Sequence, residues 1–426
     1  MATVKIDFNK IEKPIKPLHG VGQPPRVGIN DGLFHYLTEA GIPYSRLHDV
    51  ADHMVDIPEV FPNFDADVND PASYDFVFTD WLLGALVKAN CEPYYRLGIT
   101  IENHADMKAY HTAPPKDYQK WAEICEHIIA HYNHGWANGF HYNITYWEIW
   151  NEPDGTVPGF PYKAELWSGT PEQFYELYDV TAKHLKKKFP EIKVGGYAAT
   201  AFRGLFMTPE EYKGSREELF IKFFEGFFDY IKAHNSPIDF FSWHSYNTVK
   251  KMIILDKYVH DQLEARGYGN IEVHINEWNP WHDLRGCARH AAQVMSCMLS
   301  MQRGYTDKMM FYDAHVGACS YGGLFNPMTF KPFPLYYGFV AFNELYKLGN
   351  QAETVIEGED LYGISATDGK IRRTMLVNMS LEPQTIAFEG VEKFKHAWVI
   401  DDEHLLSWTP DITTLKTYQI LLVEWE

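Results

Sequence analysis

Apolar and polar positions change period in a repeating way along most of this chain. Short runs of β-branched and aromatic residues fall near 18–22, 43–47, 91–97, 144–150, 191–196, 238–244, 270–276 and 306–312. Between them, apolar residues recur at helical spacing near 31–40, 76–90, 117–133, 171–188, 217–234, 252–266, 287–302 and 334–347. A strand buried on both faces reads as a continuous apolar run, and a helix covering it reads as a stripe. Eight strand–helix units in succession close a barrel, so the pattern predicts an α/β chain with a (β/α)8 TIM barrel over residues 14–347. Local punctuation agrees. Asn30-Asp31 can cap the first helix, Gly41 can end it, and Thr170-Pro171-Glu172 opens the fourth.

After residue 347 the period shortens. Alternating runs at Thr374–Asn378, Thr385–Phe388, Ala397–Ile400 and Thr417–Glu424 are separated by Asp-Gly and Glu-Gly pairs. They predict a small antiparallel β-sandwich accessory domain over 348–426, joined by the alternating segment at the start of the chain, 1–13. Within the barrel, the helix near 117–133 carries Trp121, Ile124, Cys125, Ile128 and Tyr132 on one face. His127, His131 and His134 share another face but find no fourth ligand nearby, which reads as a solvated surface rather than a metal site.

Chemistry concentrates at two strand ends. The stretch Tyr146-Trp-Glu148-Ile-Trp150-Asn151-Glu152-Pro153-Asp154 is a buried strand stopped by a proline that cannot continue a sheet. The run from Ile271 through His274, Asn276, Glu277 and Trp278 to Pro280 has the same design. Two glutamates at the ends of two strands suit an acid/base and nucleophile pair, although either alone could cap a helix or pair with arginine. The other strand ends add Arg46 and His48, Tyr94-Tyr95-Arg96, His244 and Tyr246, and Phe311-Tyr312-Asp313. Alternation puts Ile271, Val273 and Ile275 on the face of Glu277, which predicts that this face lines the barrel interior. It also gives Glu148 the face of Glu152, so either a bulge breaks the strand or Glu148 is buried against a partner such as Arg46.

Composition narrows the ligand. The net charge is −19, with 38 basic and 57 acidic residues, which argues against nucleic acid and anionic membranes. Aromatic residues make up 15%, beyond what packing asks, and suit stacking on sugar rings. The first residues lack an apolar leader core, and five cysteines (Cys91, Cys125, Cys287, Cys297, Cys319) without close pairs fit reduced thiols. Both features predict a cytoplasmic chain, in which the sequons at Asn143 and Asn378 stay idle. The sequence implies no cofactor and no metal, and it leaves homo-oligomerisation open.

The Tyr-Trp-Glu-Ile-Trp-Asn-Glu-Pro motif, with a second strand ending Asn-Glu-Trp, resembles the clan A retaining glycoside hydrolases. Within the clan the chain is most similar to glycoside hydrolase family 39, the β-xylosidase and α-L-iduronidase family. Arg46-Leu-His48, Lys193-Val-Gly-Gly196, Trp243-His-Ser-Tyr246 and Gly323-Leu-Phe-Asn-Pro327 agree, so the likeness covers about residues 18–347. The resemblance implies Glu152 as general acid/base and Glu277 as nucleophile, with the charge of Glu277 raising the pKa of Glu152. It implies that Asn151 bonds the substrate 2-OH and that Tyr246 bonds Glu277. Arg46, His48, His244, Trp278 and Tyr312 complete the expected substrate-binding set. At strand eight the chain departs from the family, because Phe311-Tyr312-Asp313 replaces a tryptophan platform.

The implied activity is exo-acting, β-xylosidase-like hydrolysis of short oligosaccharides. α-L-Arabinosidase, β-glucosidase, β-galactosidase and α-L-iduronidase specificities stand as alternatives on the same scaffold. Loop 155–169, with Phe160, Tyr162 and Trp167, and the insert 200–216 are long enough to close one end of a cleft, as exo action requires. A barrel that binds carbohydrate without cleaving it is a rival reading that both glutamates oppose. A metal-dependent hydrolase would need a histidine pair at a strand end, and an esterase would need a Gly-x-Ser-x-Gly elbow; the sequence has neither.

Overall fold

The computed structural model describes residues 1–28, 31–50, 54–100, 112–155, 166–280, 285–316 and 321–426. Eight parallel strands close a barrel in chain order: Gly20–Gly22, Tyr44–Leu47, Glu92–Leu97, Tyr146–Ile149, Lys193–Ala199, Phe240–Ser245, Glu272–Trp278 and Lys308–Phe311. Each is followed by a helix on the outside, from Phe34–Glu39 after the first to Pro334–Tyr346 after the eighth. Residues that alternate outward, such as Tyr95, Trp147, Val194, Phe241, Ile275 and Phe311, join the helices in one large core.

The barrel interior is filled in layers, and the sequence steps through them two residues at a time. Tyr44, Tyr94, Tyr146, Phe240, His274 and Met310 plug the end where the strands begin. Glu272 sits there as a half-buried acceptor for Tyr146 Oη (2.9 Å), Lys308 Nζ (3.1 Å) and Lys193 Nζ. Two residues further along, Arg46, Glu148, Ser242 and Asn276 form a polar layer held together by hydrogen bonds. Above that layer lie the strand ends.

Local signals account for several joints. Thr170 accepts from the Gln173 amide while the Gln173 side chain returns to the Thr170 N–H, a capping box worth about 1 kcal/mol. Gly41 has φ +59°, and a Cβ there would lie 2.2 Å from the Asn343 amide, so any larger residue would strain the turn and displace Asn343. Asp31 accepts from the Gly28 N–H (2.7 Å), while Asn30 lies outside the described residues.

A nine-stranded sheet occupies the remaining chain, with Ala2–Pro14 between Asn350–Glu357 and Gln384–Glu389. The N-terminal strand runs antiparallel to the first neighbour and parallel to the second, so the sheet is mixed rather than wholly antiparallel. Its two faces separate cleanly by alternation. Met375, Val377, Ile420 and Leu422 pack into the barrel core, whereas Leu376, Leu421 and Val423 join Val4 and Ile6 in a second core.

One surface expectation is overturned. His131 is not solvated: it is buried, stacked on Phe76 at 3.7 Å and hydrogen-bonded to Asp80 Oδ1 (2.9 Å) and the Trp136 carbonyl (2.8 Å). The residues after the helix fold back over this face, which helical spacing could not reveal. Cys91, Cys125 and Cys297 are buried free thiols; Cys319 lies outside the described residues.

Candidate active site

Glu152 reaches the barrel mouth through an irregular turn. Beyond Ile149 the chain adopts positive φ at Trp150 (+71°) and at Glu152 (+44°), uncommon for side-chain-bearing residues and costly unless held from outside. Backbone bonds from Trp150 N to Leu97 O (2.8 Å) and from Glu152 N to Ala198 O (3.1 Å) tie the turn to both neighbouring strands. The Trp150 indole donates to Leu166 O (2.6 Å).

Glu277 arrives by a β-bulge. Trp243 pairs with Ile275, but the next residue, His244, pairs with Glu277, leaving Asn276 as the extra residue. The interior face of this strand therefore carries Glu272, His274 and Asn276, and the bulge turns Glu277 inward after them. This corrects the parity expectation: Val273 and Ile275 face the helices. For Glu148 the structure selects burial against a partner. It is fully buried, with Arg46 Nε donating at 2.8 Å and further bonds from Ser242 Oγ and Asn276 Nδ2.

Arg46 organises the site. Besides Glu148 it donates from Nη1 to Glu277 Oε2 (3.1 Å) and from Nη2 to Asn151 Oδ1. Tyr246 Oη donates to Glu277 Oε1 (2.6 Å), and burial, then Glu277, raises this phenol well above its usual range, so it remains a donor. His244 Nδ1 lies 2.7 Å from Glu152 Oε1 and 3.7 Å from Glu277 Oε2. A carboxylate oxygen of each glutamate and a ring nitrogen of His244 all fall within 4.8 Å of one another. These three donors are also the group among the described residues with spacing to grip a cation.

The electrostatics are unequal. Burial pushes Glu152 up to about 7, against the pull of Arg216, Arg46 and Arg203. Burial, not the charge of Glu277, is what raises it, contrary to the expectation from the resemblance. Burial lowers His244 to about 4, so its imidazole is neutral at pH 7. Asp154, two residues beyond Glu152, also rises to about 7 through burial, despite accepting from Thr200 Oγ1 at 2.7 Å.

The other expected residues divide. His48 is buried beside the site with Nε2 3.3 Å from Asp49 Oδ1, and burial, with Arg46 and Arg96 nearby, holds it neutral. Tyr312 Oη donates to Asp49 Oδ2 (2.6 Å) and receives the Gln23 amide. Trp278 is a correction: it has no exposed surface and packs edge-on against Phe311 at 5.7 Å, because the bulge that turns Glu277 inward sends its neighbour outward. Trp167 is likewise buried, against Trp150 at 5.1 Å; Phe160 and Tyr162 lie outside the described residues. Sequence reasoning missed Tyr321, whose 41% exposed ring stands 5.3 Å from Tyr246 and 5.1 Å from Tyr312. Its position in a Gly-rich loop after strand eight was the available signal.

Comparison with known proteins adds ancestry. Among curated proteins the chain is similar to a β-xylosidase of Geobacillus stearothermophilus, 22% identical over 312 residues, covering 64% of this chain and 56% of that one. It is also similar to a β-xylosidase of Caldicellulosiruptor saccharolyticus, 28% identical over 220 residues, covering 49% of this chain and 38% of the relative. The chain thus spans about half or less of the length of the curated relatives it matches. Among solved structures, a glucosidase from Croceicoccus marinus superposes with a TM-score of 0.79 at 19% identity, over 100% of this chain and 98% of the other. A monomeric β-xylosidase from Caulobacter crescentus gives 0.71 at 16% identity, over 100% and 99%. These likenesses show the shared fold. The family model for glycosyl hydrolases family 39 matches residues 26–283, more than half of the 426, and the chain belongs to that family.

Proposed function

We propose that this chain is a retaining glycoside hydrolase of β-xylosidase-like, exo-acting specificity, with Glu152 as acid/base and Glu277 as nucleophile. The carboxylate spacing carries the reading. Retaining enzymes place the two carboxyls about 5–5.5 Å apart, whereas inverting enzymes need about 6.5–9.5 Å to admit a water. The nearest carboxyl oxygens of Glu152 and Glu277 fall within 4.8 Å of each other, which supports the shorter of these two spacings.

The surroundings divide the labour. With its pKa near 7, Glu152 keeps a proton to give the leaving oxygen. Glu277 accepts from Arg46 and Tyr246, which hold its carboxylate in place for attack on the anomeric carbon. Attack by Glu277 Oε forms the glycosyl-enzyme bond as the C–O bond to the leaving group breaks and takes the Glu152 proton. Glu152, now ionised, deprotonates the water that releases the sugar from Glu277. His244, neutral and adjacent to both carboxylates, keeps Glu152 oriented through these proton transfers.

Asn151 is oriented by chemistry. Arginine only donates, so the atom facing Arg46 Nη2 must be Oδ1, which turns the Asn151 amide N–H groups toward the substrate, where they can meet the 2-OH. The exo reading rests on the insert 200–216, which adds two short helices, Arg203–Phe206 and Pro209–Tyr212, after the fifth strand. The xylose preference rests on the family and on the names of the curated relatives.

A panel of nitrophenyl glycosides, followed by NMR of the first-formed anomer, tests the proposal. Release from the xyloside with retention supports it; an inverted first product, or no turnover of any glycoside, overturns it.

A further inference from the structure

The charge around Glu152 runs against the rest of the molecule. The chain carries −19, yet three guanidinium groups act on this one carboxyl. Arg46 is already committed to Glu148, Glu277 and Asn151. Arg203 and Arg216 belong to the insert after strand five, and nothing in the double-displacement chemistry uses them.

Arg216 is out of place as a structural residue. It is the first residue of the helix Arg216–His234, capped by Ser215, where the helix dipole disfavours a cation; the acidic Glu217 and Glu218 that follow are what this end favours. No carboxylate among the described residues pairs with Arg216 to offset that. Its guanidinium lies over Phe220 at 5.0 Å and donates from Nη2 to Gly155 O (3.1 Å). Arg203 reaches Glu217 only at 3.5 Å, its side chain is 43% exposed, and its buried Nε has no partner among the described residues.

Gly155 shows where Arg216 and the acid/base meet. A Cβ at Gly155 would lie 3.5 Å from Arg216 Nη2, 3.5 Å from Thr200 Oγ1 and 3.7 Å from Glu152 Cβ. Among the described residues, Arg216, Thr200 and the acid/base therefore border one spot beside Gly155. Glu277 and its ligands Arg46 and Tyr246 surround the sugar to be transferred, which leaves the Glu152 side of the site to the leaving group.

We propose that Arg216 and Arg203 form the leaving-group subsite and select an acidic leaving group, a sugar bearing a carboxylate. A guanidinium fork matches a carboxylate in geometry and charge, and Arg216 at Gly155, with Arg203 held by Glu217 on the same helix turn, gives discrimination that neutral sugars cannot evoke. This inference rests on Glu152 being the acid/base.

The test uses two disaccharides with the same transferred sugar, the one best accepted as a nitrophenyl glycoside. In one the second sugar is a hexuronic acid; in the other it is the neutral hexose. The intact enzyme is expected to favour the acid at least tenfold in kcat/KM at low salt, with the ratio falling as salt rises. Arg216→Met and Arg203→Met should each shrink that ratio, and together bring it near one, while Arg216→Lys keeps part of it. Each ratio is taken within one preparation, so partial unfolding of a variant leaves it unchanged. Equal kcat/KM for the two disaccharides in the intact enzyme, or a ratio untouched in the double variant, overturns the proposal while leaving the glycosidase reading intact. Failure to cleave any nitrophenyl glycoside defeats both.

Discussion

His244 Nδ1 stands 2.7 Å from Glu152 Oε1, with no partner at its other ring nitrogen among the described residues. A neutral imidazole in that position shares one proton with the carboxyl. As its Nε2–H tautomer it accepts from the protonated acid, and as its Nδ1–H tautomer it donates to the ionised one, in neither case gaining charge. The pair can therefore pass through both halves of a double displacement with its net charge set by Glu152 alone.

The pH dependence follows from that charge. Glu152 must be protonated to donate, so kcat/KM should fall as pH rises through about 7. Stability should move the same way. A carboxyl with its folded pKa raised from 4.5 to about 7 binds more protons folded than unfolded, so stability is lost as pH climbs between those values. A melting-temperature profile that is flatter in Glu152→Gln than in the parent across that window is the expected result; parallel profiles would reject the assignment.

Azide separates the two glutamates. Glu152→Ala should accumulate glycosyl-enzyme from an activated aryl glycoside and, with azide, release a glycosyl azide of retained configuration. Glu277→Ala should be inactive alone and give the inverted azide. Exchanged products would reverse the roles. If neither substitution slows turnover more than about tenfold, roughly 1.4 kcal/mol of barrier, the chemistry lies elsewhere.

Removing the Tyr246 hydroxyl tests the support of Glu277. A hydrogen bond to a charged group contributes about 1.5–3 kcal/mol, so Tyr246→Phe should cost about 10- to 100-fold in kcat/KM with little change in melting temperature. A larger loss of stability than of activity would make the bond structural.

Arg46 should behave in the opposite sense. Arg46→Met strands Glu148 as an unpaired charge in the barrel interior, which costs about 3–5 kcal/mol of stability. Adding Glu148→Gln should restore part of it in denaturant titrations; strict additivity would show that the two are uncoupled.

A strong chelator should leave activity unchanged. The cluster of Glu152, His244 and Glu277 has the spacing to hold a cation, but the proposed reaction uses those groups as acid, orienting base and nucleophile. Loss of turnover that zinc or calcium restores would favour a metal-dependent hydrolase.

Much of this was legible because period reports burial. The barrel strands read as apolar runs since both their faces are covered, and Tyr146–Ile149 is buried at every position. The sheet was harder. Asn350–Glu357 is polar at its start and exposed along one side, so it carried no apolar signal, yet it pairs with the N-terminal strand over most of its length. At the site, Glu152, Arg46 and Tyr246 could be found from motif and alternation. Trp278 could not be excluded, because a bulge changes which face a residue occupies without changing its identity. Arg216 left no motif; only the fold brings it to Gly155, 61 positions away.

That bulge has a consequence for how the strand can vary. The inward aim of Glu277 depends on one uncounted residue, Asn276, rather than on the type of side chain before it. Apolar exchanges at Val273 and Ile275 can be absorbed by repacking, but deleting a single residue along Glu272–Ile275 would restore regular pairing and swing the carboxylate into the helix layer. The strand is thus tolerant in spelling and intolerant in length, and divergence within this segment should proceed by substitution while its residue count stays fixed.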